Sequence, residues 1–359
     1  HPSGHASDSL SVACGLARAR DMRGSDEKIV TLIGDASLAG GMAFEALNDL
    51  GQAQTPLVII LNDNEMSISR NVGAMAKNLG SLRVSNNYRK SRDSMQDFVE
   101  SSFGPAGKAF VKFGKSAKDS LEQFAIPDTM LFEQLGIVCT PPVDGHDIPA
   151  LKTTLRRALS SEVPVLVHVV TKKGAGYAPA EKDPSRFHGV GPFDRASGAS
   201  LKSSDSTLTY TQAFTYAFNQ EAQRDDKICA ISAAMIDGTG LRDFATSHPD
   251  RCFDVGIAEA HAVGLASGLA LGGYKPLVAL YSTFLQRAID QSIINVALCN
   301  LPVVFAIDRA GLVGDDGPTH HGMFDMALLR TIPNMRIIAP SNEAELVHAL
   351  HTAFMLPGP

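Results

Sequence analysis

The chain alternates short apolar runs with longer stretches that mix apolar and polar residues. In the first half, the runs cover residues 29–33, 57–61 and 165–170, and the mixed stretches cover residues 9–20, 42–50 and 148–160. Apolar runs of this length, rich in valine, isoleucine and leucine, are typical of strands buried on both faces of a parallel sheet. Because helices alternate with these strands, the pattern predicts an α/β fold whose sheet is parallel.

A second α/β unit is predicted to begin near residue 210. Its strands cover residues 228–232, 277–281, 303–307 and 336–338. Residues 194–206 are rich in small and polar side chains, as is typical of a linker. The sequence therefore predicts a first domain over residues 1–195, a linker over 196–208 and a second domain over 209–359. Residues 78–129 are polar, lack the strand period and are predicted to form a helical or mobile insertion in the first domain.

Polar residues follow two of the predicted strands of the first half. Gly34 and Asp35 follow one strand, and Asn64 follows the next. Ligands bind at the carboxyl ends of parallel strands, where these groups would meet. A carboxylate and an amide oxygen suit Mg²⁺ when phosphate and water complete its shell, and small residues at Ala36 and Ser37 let backbone N–H groups approach phosphates. The pattern predicts a magnesium-diphosphate clamp; the alternative is a strand-to-helix turn followed by a polar loop.

Composition narrows the possible partners and compartments. The chain has 359 residues, of which 44% are hydrophobic and 19% are charged, and its net charge is −6. This charge gives no basic footprint for nucleic acid, and no apolar stretch approaches the roughly 20 residues that span a bilayer. The five cysteines are scattered without a C-x-x-C pair, which favours reduced thiols in the cytoplasm. Because the chain begins with His1, the sequence leaves a plastid-type targeting segment open.

A set of motifs spread over the whole chain resembles the 1-deoxy-D-xylulose-5-phosphate synthase family. The motifs are GHAS (4–7), GD (34–35), GMAFEA (41–46), LNDNEMSIS (61–69), PVDGHD (142–147), TKKG (171–174), AEKDP (180–184), IAE (257–259), YSTFLQRA (281–288) and DRAGLVG (308–314). The resemblance implies a transketolase-like fold with two parallel-sheet domains that bind thiamine diphosphate. It also implies that the first part of the cofactor domain and a third domain are absent from this chain, and that the enzyme is a homodimer.

The resemblance also implies a reaction. Pyruvate and D-glyceraldehyde 3-phosphate would condense with loss of CO₂ to 1-deoxy-D-xylulose 5-phosphate, the first step of the non-mevalonate isoprenoid pathway. Thiamine diphosphate and Mg²⁺ would be the cofactors, because the thiazolium ring accepts the electron pair that CO₂ leaves behind. A carboxyl hydrogen-bonded to the aminopyrimidine ring would promote formation of the reactive carbon, and Glu259 is the candidate. Without the resemblance, Glu259 reads as a carboxylate favoured by a helix N-terminus.

By the same resemblance, further residues receive roles. The catalytic set is Glu259, His188 and His320; the cofactor set is His5, Asp35, Ala36, Ser37, Asn64, Glu259 and Phe284; the metal set is Asp35, Asn64 and Met66; and the substrate set is Tyr281, Arg287, Arg309 and Asp316. Imidazole suits proton transfer because its pKa lies near neutrality, and a guanidinium such as that of Arg309 binds phosphate bidentately. The plainer alternatives are a core phenylalanine at 284, a solvated histidine at 5 and a surface ion pair at Arg309. His168, within an apolar run, is predicted to be a core histidine whose polar atoms are satisfied.

Several residues depart from the family pattern. Ala36 stands where a glycine is usual, Asp8 where a hydroxyl residue is usual and Ala260 where a glutamine is usual, and residues 233–238 lack an arginine that relatives often have. An added methyl at position 36 would crowd the diphosphate if that residue needed a positive φ. Three hypotheses therefore stand: an active synthase, another transketolase-type enzyme, and a non-catalytic relative that binds thiamine diphosphate.

Overall fold

The computed structural model describes residues 4–66, 71–76, 130–201 and 208–359. The insertion predicted over residues 78–129 and residues 202–207 of the predicted linker lie outside the described residues. The chain forms two compact units, a first unit of Ala6–Pro184 and a second unit of His1–His5 with Ser185–Pro359. The second unit therefore takes up residues 1–5 and 185–195, which the predicted first domain included. The domain assignment itself stays a prediction.

The first unit is built on a parallel sheet. Its strands are β1 (Val30–Gly34), β2 (Val58–Asp63), β3 (Val138–Cys139), β4 (Val143–Asp144) and β5 (Val165–Val170), and they lie in the order β1-β2-β5-β3, with β4 also paired to β5. The helices are α1 (Ser9–Arg23), α2 (Asp35–Leu38), α3 (Gly41–Ala53), α4 (Met130–Gln134), α5 (Ile148–Leu159) and α6 (Ala178–Lys182). Apolar side chains of α1, α3, β1 and β2, such as Leu10, Leu47 and Leu61, form one core on a sheet face. The register pairs Gly34 with Asn62, which aligns the carboxyl ends of β1 and β2.

The second unit also has a parallel sheet. Its strands are β6 (Ile228–Ser232), β7 (Cys252–Asp254), β8 (Lys275–Tyr281) and β9 (Val304–Asp308), in the order β7-β6-β8-β9. Its helices are α7 (Tyr210–Arg224), α8 (Arg242–Ser247), α9 (Glu259–Leu271), α10 (Ser282–Leu285), α11 (Ile289–Gln291), α12 (Asp325–Leu329) and α13 (Glu343–Met355), with 3₁₀ turns at Pro249–Arg251, Gln286–Ala288 and Gly314–Asp316 and a π-helix at Ser292–Ala297. A capping box between Thr209 and Gln212 begins α7. The fold class predicted from the sequence, α/β with parallel sheets, is confirmed.

One predicted strand of the second unit is wrong. Residues 336–338 form no strand, although their apolar pattern predicted one. The backbone N–H of Arg336 donates to the carbonyl of Pro359 at 3.0 Å, and the side chains of Ile337 and Ile338 are nearly half exposed. A segment becomes a strand only where a neighbouring strand pairs with its backbone. Here the N–H of Arg336 bonds to Pro359, which belongs to no strand. Among the described helices, none combines the length and apolar character needed to cross a membrane.

Candidate active site

In the first unit, the buried carboxylate of Asp35 joins the ends of two strands. Asp35 begins α2 directly after β1, and its side chain is only 5% exposed. Its Oδ1 accepts a hydrogen bond from the N–H of Ala36 at 2.9 Å, and its Oδ2 accepts from the N–H groups of Asn64 at 3.2 Å and Glu65 at 2.7 Å. Glu65 adopts a left-handed φ of 63°, which is uncommon outside glycine. The structure thus brings together the two residues whose strand positions predicted a clamp.

The groups around Asp35 suit a hard divalent cation. A carboxylate offers about four lone-pair positions, and backbone donors use three of those of Asp35. The Oδ1 of Asn64 accepts from the N–H of Met66 at 3.0 Å, which folds residues 64–66 into a tight turn. Among the described residues, no three His, Cys, Asp or Glu side chains form a metal cluster. A cation here would therefore take one carboxylate with amide and carbonyl oxygens and complete its shell from phosphate and water, as Mg²⁺ does.

Lys173 is a cation near this carboxylate that the sequence analysis did not assign. Burial lowers the pKa of the Lys173 ammonium, and the charge of Asp35 acts in the opposite direction. Lys173 follows β5, so three strand ends contribute polar groups to the same edge of the sheet. A partly buried ammonium here would favour an anionic ligand. The TKKG motif that includes Lys173 was the available signal, but its sequence does not show which lysine approaches Asp35.

Ala36 lies in helix α2, and its φ is not positive. Its methyl group therefore adds no backbone strain, which removes the condition under which it would crowd a diphosphate. Besides Glu65, Ser7 is strained in this region, with a φ of 73°, and its Oγ donates to the carbonyl of Ser37 at 2.6 Å. A side chain at Gly40 would collide with Ser7. The turn that presents the Ala36 and Ser37 backbone is thus held from a second segment.

In the second unit, Glu259 is buried at the first residue of α9. Its side chain is 5% exposed, and burial raises the pKa of its carboxyl, while the nearby Arg287 guanidinium opposes that shift. The loop that leads to Glu259 is fixed by Asp254, whose Oδ1 accepts from the N–H groups of Ala234 and Gly256, both at 2.9 Å. Asp254 was not singled out from the sequence, because only the folded chain brings residue 234 beside it.

Four aromatic side chains of the second unit meet around Phe284, and we call them the aromatic cluster: His5, Tyr281, Phe284 and His320. The ring of Tyr281 stacks on that of Phe284 at 5.7 Å, and the rings of His320 and His5 meet Phe284 edge-on at 5.7 and 5.3 Å. The Oγ1 of Thr283 donates to the carbonyl of Thr319 at 3.2 Å and lies 2.7 Å from Nε2 of His5. Because that hydroxyl proton is engaged, the Nε2–H of a neutral His5 is the donor to Thr283.

Arg309 lies against the aromatic cluster on a strained backbone. Its φ is 58°, and its guanidinium carbon lies 4.3 Å from the centre of the Tyr281 ring. Asp308 accepts from the backbone N–H of Arg309 at 2.7 Å and from its Nη1 at 2.8 Å. Burial raises the pKa of Tyr281 to about 12; Arg309 opposes this shift, and Asp308 and Asp316 add to it. The ion pair expected in the plainer alternative is present, but the guanidinium also covers a ring of the cluster and stays half-buried.

The remaining candidates differ in their surroundings. His320 belongs to the aromatic cluster, whereas Nδ1 of the adjacent His321 accepts from the N–H of Val313 at 3.1 Å and closes a loop. Asp316 lies on an exposed 3₁₀ turn. His188 lies on an exposed turn, where its backbone N–H donates to Ser185. The roles assigned to these residues stay predictions.

Both halves of the chain match known protein families. Residues 1–171 match the family described as 1-deoxy-D-xylulose-5-phosphate synthase, and residues 206–359 match the transketolase pyrimidine binding domain. A 1-deoxy-D-xylulose-5-phosphate synthase of Pelotomaculum thermopropionicum is 52% identical over 99% of this chain and 55% of its own length, and one of Desulforudis audaxviator is 51% identical over 99% and 56%. A solved transketolase of Campylobacter jejuni is 18% identical over 98% of this chain and 59% of its own, with a TM-score of 0.40. The chain spans about half the length of the curated relatives it matches.

Proposed function

Because the chain belongs to the 1-deoxy-D-xylulose-5-phosphate synthase family, we propose that the whole protein condenses pyruvate with D-glyceraldehyde 3-phosphate, releasing CO₂ and 1-deoxy-D-xylulose 5-phosphate. We infer that it uses thiamine diphosphate and Mg²⁺ and works as a cytoplasmic homodimer. The observation that supports the activity most directly is the buried Glu259 at the start of α9, whose pKa is raised by burial and moderated by Arg287. Burial favours the protonated form of this carboxyl relative to a solvated one, and a protonated carboxyl can share its proton with a ring nitrogen.

The first unit would hold the diphosphate end of the cofactor. Asp35, the Oδ1 of Asn64 and the carbonyl of Met66 would bind Mg²⁺, whose preference for oxygen ligands matches this set. The backbone N–H of Ser37, in the first turn of α2, and the ammonium of Lys173, whose charge interacts with that of Asp35, would meet phosphate oxygens. The N–H of Ala36 donates to Oδ1 of Asp35 in this structure, so a bound phosphate would compete with that oxygen for the same donor.

The second unit would act on the pyrimidine ring and the substrates. Thiamine diphosphate, when bound, supplies a nucleophilic carbon and accepts the electron pair that stays behind when CO₂ departs. Glu259 would hydrogen-bond the aminopyrimidine, and Phe284 would face that ring. His188 and His320 would hold and transfer protons at the substrate oxygens, as imidazole does near neutrality, and His5 would contact the cofactor.

Substrate recognition is assigned to charged groups beside the aromatic cluster. The half-buried guanidinium of Arg309 would bind the phosphate of the aldehyde, and the Tyr281 hydroxyl, kept protonated by its raised pKa, would donate a further hydrogen bond. Arg287 and Asp316 would contact the carboxylate and hydroxyl groups. The substitution of Ala36 for the usual glycine was an argument for a non-catalytic relative. Because Ala36 has a helical backbone without positive φ, its methyl group adds no strain, and this argument loses weight.

One assay separates the three hypotheses. The whole protein is supplied with Mg²⁺, thiamine diphosphate, pyruvate and D-glyceraldehyde 3-phosphate, and CO₂ and pentulose phosphate are both measured. A parallel reaction contains a ketose phosphate donor in place of pyruvate. Appearance of both products supports the synthase, turnover only with ketose phosphate donors supports a transketolase, and cofactor binding without either product supports a non-catalytic relative. Glu259→Ala should lower turnover by about 100-fold or more while calorimetric binding of Mg²⁺ and thiamine diphosphate changes little, because the carboxyl acts in proton transfer. Unchanged turnover would remove Glu259 from its role.

A further inference from the structure

A buried ionisable pair lies behind the Asp35 site and has no role in the proposed mechanism. The Nε2 of His168 and the Oδ2 of Asp63 are 2.8 Å apart, and their side chains are 2% and 1% exposed. Asp63 ends β2, and His168 lies within β5, where the register pairs it with Leu61. Because side chains alternate along a strand, Asp63 shares a face with Leu61 and reaches His168 diagonally. The expectation that His168 is a core histidine with satisfied polar atoms is confirmed.

The pair is one of three contacts that tie the end of β2 to the end of β5. The N–H of Thr171 donates to the carbonyl of Asp63 at 2.9 Å, and the Oγ1 of Thr171 donates to the Oδ1 of Asn62 at 2.7 Å. Directly beyond these contacts, β2 leads into Asn64, whose N–H meets Asp35, and β5 leads toward Lys173, whose pKa Asp35 influences. The same short segments therefore fix both the cation's amide ligand and the nearby ammonium.

A buried pair of hydrogen-bonded ionisable side chains adds little stability over apolar packing, so its presence in this strand points to another role. Removing two charges from water costs about as much as their attraction returns, and apolar residues of similar volume often stabilise a protein equally well or better. Val167 and Val169, the neighbours of His168 on the opposite face of β5, show that this strand is otherwise packed with apolar residues. What a polar pair adds over apolar packing is a fixed distance and direction between two side chains.

We propose that the Asp63–His168 pair and Thr171 are positioning residues that hold the Asn64 turn in the geometry that binds a divalent cation with a diphosphate. This inference rests on the proposed function, because it assigns residues to the Mg²⁺ and thiamine diphosphate site. Residues that orient metal ligands through hydrogen bonds typically change metal affinity by about 10–100-fold when they are replaced.

The test measures cation binding and stability separately in the whole protein. Mn²⁺ replaces Mg²⁺, and its binding in the presence of thiamine diphosphate is followed by electron paramagnetic resonance. The double variant Asp63→Val/His168→Leu keeps a filled core and should weaken Mn²⁺ binding by about 10–100-fold. Thr171→Val keeps the side-chain shape, removes the hydroxyl bond to Asn62 and should weaken binding by about 3–10-fold, the effect of losing one neutral hydrogen bond. Thr171→Val decides the test alone if the double variant does not fold.

Two controls separate positioning from stability. Val167→Ala removes apolar packing from the opposite face of β5 and should lower the thermal midpoint with the Mn²⁺ affinity unchanged. His351→Gln breaks the His351–Glu221 pair in the second unit, 3.0 Å long, and should leave Mn²⁺ binding unchanged. Wild-type affinity in both the double variant and Thr171→Val overturns the proposal, as does an equal loss in Val167→Ala. If the wild-type protein itself fails to bind Mn²⁺ with thiamine diphosphate, the proposed function fails and this inference fails with it.

Discussion

Replacing Asp35 by asparagine should destabilise the protein even when no metal is present. The carboxylate of Asp35 accepts three backbone hydrogen bonds, one from Ala36 on Oδ1 and two from Asn64 and Glu65 on Oδ2. An asparagine side chain presents one oxygen and one NH₂ group. In either orientation its NH₂ group faces a backbone donor, so at most two of the three bonds survive.

The magnitude follows from these contacts. Hydrogen bonds to a charged group contribute about 1.5–3 kcal/mol each, and neutral ones about 0.5–1.5 kcal/mol. In its better orientation the substituted asparagine side chain loses one charge-assisted bond and weakens two, so the local free energy of unfolding should fall by about 3–6 kcal/mol. A competing effect predicts the opposite result. If desolvation of the buried carboxylate outweighed its hydrogen bonds, replacing it by a neutral side chain would stabilise the protein.

Hydrogen exchange of the peptide that includes Asn64 and Glu65 measures this local free energy in EDTA, without requiring the whole protein to unfold in two states. Asp49→Asn is the matched control, because Asp49 pairs with Arg18 on the surface of the same unit, where an ion pair contributes about 0–1 kcal/mol. Asp35→Asn with exchange as slow as wild type, or slower, would refute the reasoning. Faster exchange with unchanged Mn²⁺ affinity would keep the backbone role of Asp35 and remove its metal role.

Three further predictions concern the second unit. Glu259→Gln should become more stable relative to wild type as the pH rises above 4.5. The carboxyl of Glu259 has a higher pKa in the folded than in the unfolded protein, so the wild type loses stability as the pH rises from the unfolded to the folded pKa, whereas glutamine does not titrate. Thermal midpoints of the two cofactor-free proteins from about pH 4 to about pH 8 test this. Asp254→Ala should leave two N–H donors unsatisfied at a cost of about 1–3 kcal/mol each, whereas Asp254→Asn keeps both bonds on Oδ1; urea unfolding should rank them so. Arg309→Lys should raise KM for the phosphorylated aldehyde about 10-fold or more with KM for pyruvate unchanged, and equal effects on both would contradict a phosphate role.

The features that the sequence predicted well are those that depend on local pattern and a general packing rule. Apolar runs located the strands that pair as β1, β2 and β5, and parallel pairing then required Asp35 and Asn64 to meet at one edge. The strand expected at 336–338 failed because an apolar run does not reveal whether a sheet edge is available to it. The pattern of apolar residues indicates which segments are buried, whereas the pairing of a strand depends on which other segments lie beside it.

Contacts between distant segments could not be predicted. Thr283 touches His5 across 278 residues of sequence, and Asp254 meets Ala234 only because β6 and β7 lie side by side. The choice between His320 and His321 rested on resemblance, and the structure gives these neighbours different contacts. Adjacent residues of the same type differ through the three-dimensional direction of their side chains, which a linear sequence does not contain.

At Arg309 the backbone conformation and the side-chain chemistry favour different residues, because a left-handed φ favours glycine while the proposed phosphate contact needs a guanidinium. A non-glycine residue in such a conformation costs about 1–3 kcal/mol, and the two bonds to Asp308 hold it there. Glycine would relax the chain at that point and asparagine would come close, yet neither carries a guanidinium. Selection for thermal stability alone would therefore favour replacing this arginine, and the most stable variant would lack the guanidinium that we propose binds phosphate.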